Sequence, residues 1–289
     1  MAPRVGAALA AAGLLAWRGL RKGSLSAHGA LAAAGVGFAS LAALPRSGVA
    51  MLVFYWSGSR LTRVGAARKG ELEQGFAAGV ARGPSQVLAC SAIATGLTLA
   101  HLALVGAQDR MVFKHSGARE GGREHAALVL GIAAHYAACA ADTWSSELGV
   151  LSGSWPRLIT SGRPVPPGTN GGVSLVGLLA ALGGGAAIGL AMFLSGLVLN
   201  DNQKCPVDDI SLVPLCAAFG LAGSLLDSLL GAVAQETLYD EDLKQVVKQR
   251  GPGVKVVCGR PLLSNEGVNL LSVAVVTAAG CAYGWAATA

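Results

Sequence analysis

The passage Asp142-Thr143, Gly162-Arg163-Pro164-Val165 and Thr169-Asn170-Gly171-Gly172-Val173-Ser174-Leu175 is written a second time, as Asp227-Ser228, Gly259-Arg260-Pro261-Leu262 and Ser264-Asn265-Glu266-Gly267-Val268-Asn269-Leu270. In both versions an acidic residue sits within an apolar run, an arginine lies in a polar loop, and an asparagine precedes a second apolar run. The repeated unit reads as a helical hairpin, once over 126–199 and once over 211–289, within a single membrane domain 1–289. Duplicated hairpins commonly build one site between them.

The rest of the chain is equally apolar. Hydrophobic residues make up 53%, charged residues 13% and glycine 41 of 289, with mean hydropathy +0.54, which excludes an ordinary soluble domain. Stretches able to span a hydrocarbon core of about 30 Å lie near 27–44, 86–107, 126–151, 173–199, 211–234 and 267–287. Two shorter ones, 5–17 and 48–56, complete an all-α polytopic integral membrane bundle of about 7–8 transmembrane helices with tandem helical-hairpin repeats. The first reads as a retained helix, because Trp17-Arg18 follows where a signal cleavage site needs small residues. With no Ser- and Arg-rich, acid-poor leader before it, an endomembrane location is expected over the plastid envelope.

Basic residues gather before Ala27 (Arg18, Arg21, Lys22) and before Gln86 (Arg60, Arg63, Arg68, Lys69, Arg82), while 200–210 carries Asp201, Asp208 and Asp209. The positive-inside rule puts the two basic loops in the cytosol. If 48–56 completes a pass after Pro45-Arg46, loops 152–168 and 235–264 share that face. The cationic excess serves topology and anionic lipids, so no nucleic-acid partner is expected. The six cysteines lack paired short spacing, which argues for packing rather than zinc or disulfides. His101 and His135, inside apolar helices, read as hydrogen-bonded packing residues.

Ionisable residues within membrane helices are costly and mark partners or wet cavities, which singles out Asp142, Glu147 and Asp227. Asp142 and Glu147 stand about 140° apart on an ideal helix and so do not share a face. Gly223 and Gly231 flank Asp227 at four residues to either side, leaving a bare face for close helix approach. Thr169 or Asn170, with Gly171 after them, and Ser264 or Asn265 are expected to cap the helices that follow, aiming free N–H groups and the positive dipole end at a phosphate. Arg163 and Arg260 would add bidentate phosphate donors. A weaker echo, Ser24-Leu25-Ser26-Ala27-His28-Gly29-Ala30, follows Arg21-Lys22. Two carboxylates, two arginines and two helix starts point to a magnesium ion bridging phosphates, and to phosphoryl transfer, which needs positioning and charge neutralisation more than a nucleophile. There is no Walker A run, and Gly183-Gly184-Gly185 lies within an apolar helix, where it reads as packing.

Further motifs, Ala141-Asp142-Thr143-Trp144-Ser145-Ser146-Glu147-Leu148-Gly149, Pro156-Arg157-Leu158-Ile159-Thr160, Pro167-Gly168-Thr169-Asn170-Gly171-Gly172-Val173 and Gly259-Arg260-Pro261 with Asn269-Leu270, resemble the transmembrane protein 19 family. That family includes the plant phytyl-phosphate kinase of the vitamin E pathway. The resemblance runs from about Lys22-Gly23-Ser24-Leu25 to the C-terminus. Ser59-Arg60-Leu61-Thr62 is similar to the animal-type members, with Arg82-Gly83-Pro84-Ser85-Gln86-Val87 further on. The resemblance implies a kinase that converts an isoprenoid monophosphate to its diphosphate, and Asp142, Glu147, Thr169, Asn170, Asp227, Arg260 and Asn269 fall on its motifs. The expected activity is therefore transfer from ATP or CTP to a phytyl or prenyl monophosphate, with Asp142 and Asp227 holding magnesium. The competing expectation is a transporter or flippase of an anionic lipid or small ion, built on the same intramembrane acids, or a multipass membrane protein without enzymatic activity. Acids near the helix ends favour phosphate chemistry, and acids at mid-bilayer favour transport.

Overall fold

The computed structural model describes residues 2–72, 74, 81–107, 112, 122–199 and 207–287. Most of the acidic loop expected over 200–210 lies outside the described residues. Nine α-helices are found among them: α1 (Ala2–Arg21), α2 (Ala27–Ala43), α3 (Pro45–Leu72), α4 (Pro84–Ala89), α5 (Ala92–Leu104), α6 (Gly122–Gly149), α7 (Leu175–Leu199), α8 (Leu212–Ala234) and α9 (Asn265–Ala286). By length and composition α6, α7, α8 and α9 can each cross a membrane, while α2 and α5 are shorter apolar helices. The protein is an all-α membrane bundle.

Helix α6 is its axis. From His125 to Ala141 nearly every residue is buried, and α3, α5, α7, α8 and α9 all pack on it. Its alanines leave little bulk, and the neighbours answer with glycine. A Cβ added at Gly223 of α8 would lie 2.7 Å from the Ala138 Cβ, and one at Gly280 of α9 would lie 2.6 Å from both the Leu130 carbonyl oxygen and the Ala134 Cβ. Small residues thus bring helices to backbone contact, where dispersion is the main source of attraction in lipid. Gly184 and Gly185 of α7 do the same against Ala140 of α6 and Cys216 of α8.

Three expectations change. The stretch 48–56 is no isolated short segment; it is the first half of the 28-residue α3, which runs on through Arg60, Arg63 and Lys69. Leu44 adopts an extended conformation, and Pro45, at the start of α3, separates α2 from it. The span 86–107 is divided at Cys90-Ser91 into α4 and α5, and the His135 imidazole of α6 lies 3.1 Å by Nε2 from the Cys90 carbonyl at that break. The loops, lastly, carry small sheets. Strands β1 (Arg157–Leu158) and β2 (Gly172–Val173) pair antiparallel, and β3 (Thr237–Asp240) lies between β4 (Gln245–Val247) and β5 (Val254–Cys258), antiparallel to both.

These sheets stand at one end of the bundle. The Asn170 N–H donates to Thr237 Oγ1 at 3.1 Å, joining the two repeated loops, and the Gln74 N–H donates to the Val246 carbonyl at 3.0 Å, tying β4 to the end of α3. At the far end of α3, Arg46 and Asp209 form an ion pair at 2.7 Å with both side chains fully buried, and Asp209 also accepts the Val112 N–H at 2.9 Å.

Candidate functional site

A cleft of about 1050 Å³ opens among the loops at this end. Asp142 and Gly149, like Asp227 and Ala234, are separated by seven positions, so each acid lies about 10 Å inside the loop-side end of its helix. Close packing of α8 and α9 on α6 brings the two together, and both line the cleft half-buried. Asn269, in the second turn of α9, lies between them. Its Nδ2 is 3.5 Å from Asp142 Oδ2; with the amide turned over, Nδ2 donates to Asp227 Oδ2 at 3.1 Å and to the Asn265 carbonyl at 2.9 Å, the better-satisfied arrangement. One turn further on, the Ser272 hydroxyl donates to Asp227 Oδ2 at 3.2 Å. Ser224 of α8 donates to Ser145 of α6 at 3.0 Å beside them. The result is a pair of neighbouring carboxyl groups with small polar partners, whose ionised form a cation would stabilise electrostatically.

Glu147 also lines the cleft, but on another face of α6, which stays helical past it. There the Lys69 ammonium of α3 lies 2.9 Å from its carboxylate. Further cations, Lys22, Arg63, Arg82 and Lys248, line the same space. Acidic and basic side chains thus line a common volume.

The predicted phosphate residues divide. Thr169, Asn170, Gly171, Asn265 and Asn269 line the cleft. Arg163 and Arg260 are not among its lining residues: both are exposed, the Arg163 guanidinium donates to the Val257 carbonyl, and the Arg260 backbone N–H to that of Val233. Both arginines thus keep their side chains on the outer surface. The capping expectation holds for α9, where Ser264 Oγ accepts the Gly267 N–H at 3.1 Å. It fails for α7, which opens at Leu175 with Ser174 accepting the Gly177 N–H at 3.1 Å. Gly171, with φ +74°, turns the chain, and Gly172-Val173 pair with β1, so Thr169 and Asn170 stand before a strand rather than a helix. Thr169 instead donates its hydroxyl to the Pro166 carbonyl at 2.6 Å. The position of Gly171 admits no side chain, since a Cβ would strike Ala232 and lie 2.5 Å from the Ser228 carbonyl. Gly231 faces this loop rather than a helix, while Gly223 meets α6 as expected. The Cys258 thiol, pushed up by burial, donates to the Asn170 carbonyl at 3.3 Å and fastens the second loop to the first.

Residues missed by sequence reasoning are Lys69, Ser145, Ser224 and Ser272, together with the cleft-facing role of Lys22 and Arg82. Lys22, Arg82 and Ser145 lie within quoted motifs and Lys69 within a basic cluster, but none of these signals gave the residue a place at the site.

Comparison with known proteins assigns the chain to a family. The model described as "Integral membrane protein DUF92" matches residues 10–277, and the chain belongs to this family, in agreement with its transmembrane protein 19 motifs. Protein PGR of Arabidopsis thaliana is 40% identical over 264 residues, covering 90% of this chain and 89% of that protein. An uncharacterized membrane protein of Methanocaldococcus jannaschii is 33% identical over 147 residues, 51% of this chain and 48% of its own. One from Synechocystis is 31% identical over 159 residues, 53% of each. No solved structure matches.

Proposed function

We propose that this DUF92 family member is an integral membrane lipid-phosphate kinase, transferring a phosphoryl group from a nucleoside triphosphate to an isoprenoid monophosphate. The observation that carries this reading is the meeting of Asp142 and Asp227 at the Asn269 amide in a polar cleft near the helix ends. Their depth of about 10 Å favours chemistry on a head group over passage through mid-bilayer.

The donors suit magnesium. Two carboxylates and an amide oxygen are hard ligands, and magnesium is usually held by one or two carboxylates, with water and substrate phosphates completing its shell. Among the described residues no group of three or more His, Cys, Asp or Glu could hold a metal unaided, which fits an ion shared with substrate better than a closed cage. Bound by Asp142 and Asp227, magnesium would supply charge neutralisation at phosphate oxygens. The remaining work falls to the chain. Asn269 and Ser272 fix the carboxylates, and the cationic side chains draw in anionic groups. An oxygen of the monophosphate attacks the γ-phosphorus, its bond to the β-phosphate oxygen breaks, and a nucleoside diphosphate leaves. A monophosphate dianion has no proton to lose, so the step needs no dedicated base.

The test is transfer of labelled phosphate from ATP or CTP to phytyl and other prenyl monophosphates by purified protein, with magnesium and then with chelator. Chelator-sensitive diphosphate formation is expected, with a loss on the order of hundredfold or more in the Asp142→Asn, Asp227→Asn double variant. Full transfer by that variant would falsify the assignment. An intact protein that transfers nothing across the panel but moves anionic lipid or ions in proteoliposomes would be a transporter instead.

A further inference from the structure

Two motifs without a part in the carboxylate centre meet at the same cleft. The Ser26 N–H donates to the Arg82 carbonyl and the Arg82 N–H to the Ser24 carbonyl, each at 3.1 Å, so Leu25 and Arg82 form a parallel bridge. Gly29, in the first turn of α2, touches the Arg82 carbonyl so closely that a Cβ would collide with it. The backbone of Arg82 is therefore clamped on both sides.

Its side chain is held as well. Nη1 donates to Ser59 Oγ at 3.1 Å, the guanidinium lies over the Tyr55 ring at 5.6 Å, and the Tyr55 hydroxyl is 3.1 Å from Ser24 Oγ. Several other cations have acids: Lys69 has Glu147, Arg46 has Asp209, Arg68 has Glu71, Arg250 has Glu236 and Lys255 has Glu241. Among the described residues Arg82 has only neutral partners. A guanidinium fixed in place and left without an acid, lining a cleft beside Lys22, Ser24 and Ser59, has the planar donor fork that takes a phosphate two oxygens at a time.

We propose that Lys22, Ser24, Ser59 and Arg82 form a phosphate seat separate from the Asp142–Asp227 centre, with Arg82 its principal donor. The seat takes either the terminal phosphates of the nucleotide or the phosphate of the prenyl monophosphate. It rests on the kinase reading for the choice of these two ligands, and binding is the readout that separates the two ideas. The full chain in lipid nanodiscs is titrated, free of magnesium, with ATP and separately with phytyl monophosphate. Arg82→Gln should weaken one of them by at least about tenfold. Ser59→Ala, which frees the fork but keeps its charge, should weaken the same probe less, and Asp142→Asn should not weaken it. Loss of ATP identifies the donor's seat, and loss of phytyl monophosphate the acceptor's. Should Arg82→Gln not fold, Arg82→Lys, which keeps charge without the fork, is expected to show the same selective loss. A wild-type chain that binds neither probe, or a folded Arg82 variant that binds both undiminished, overturns the seat. A selective loss in a protein that transfers no phosphate keeps the seat and discards the kinase.

Discussion

At the scale of the residue, the site turns on one amide. Asp142 and Asp227 were legible in the sequence because a carboxylate inside an apolar run has few reasons to be there. The side chain between them was legible only through its family motif, since an asparagine near a helix start ordinarily reads as a cap. On the magnesium reading proposed above, groups that support a metal's ligands tune its affinity by about 10–100-fold. Asn269→Leu should accordingly raise the magnesium concentration for half-maximal transfer by about that factor, measured by magnesium titration of the purified variant. If the half-maximal concentration stays that of wild type, Asn269 packs the helices and does not serve the ion. The two arginines drew attention in the sequence for their repetition, but a loop residue's direction depends on strand and turn geometry that motif spacing does not encode. Arg163 and Arg260 consequently stand outside the cleft while Arg82 and Lys69 line it.

At the scale of the element, hydropathy located α6, α7, α8 and α9 to within a few residues, because a helix that must hide its backbone from lipid needs a long apolar run. It failed where a helix changes character along its length. The apolar signal of α3 stops near Trp56, yet the helix continues through basic residues to Leu72, with the Arg60 guanidinium 3.9 Å from the Trp56 ring centroid. The loop sheets escaped because strands of two to five residues leave no periodicity to read. Glycine contacts between helices make a sharper prediction. Gly280→Ala drives a methyl into α6 and should cost roughly 1–3 kcal/mol, seen as a lower unfolding temperature in detergent. Gly6→Ala, whose added methyl meets nothing within 4 Å, is the control and should not lower that temperature.

At the scale of the whole molecule, α3 connects two ends with different duties. Arg46 and Lys69 are 23 positions apart on one helix, about 34 Å, the first paired with Asp209 and the second with Glu147 at the cleft. Removing one member of a fully buried ion pair strands the other, so Arg46→Met should destabilise the fold by about 3–5 kcal/mol. Residual transfer activity below the unfolding temperature should keep its wild-type KM, since the cleft lies at the other end; a shifted KM would show that the two ends communicate. The duplicated passage places Ser174 where its second version has Asn269, and the two residues have parted ways: Ser174 caps α7, whereas Asn269 stands between the aspartates. Two identical hairpins meeting as a dimer would supply two asparagines or none. A centre with a single shared amide needs two hairpins that differ, so neither of them can replace the other.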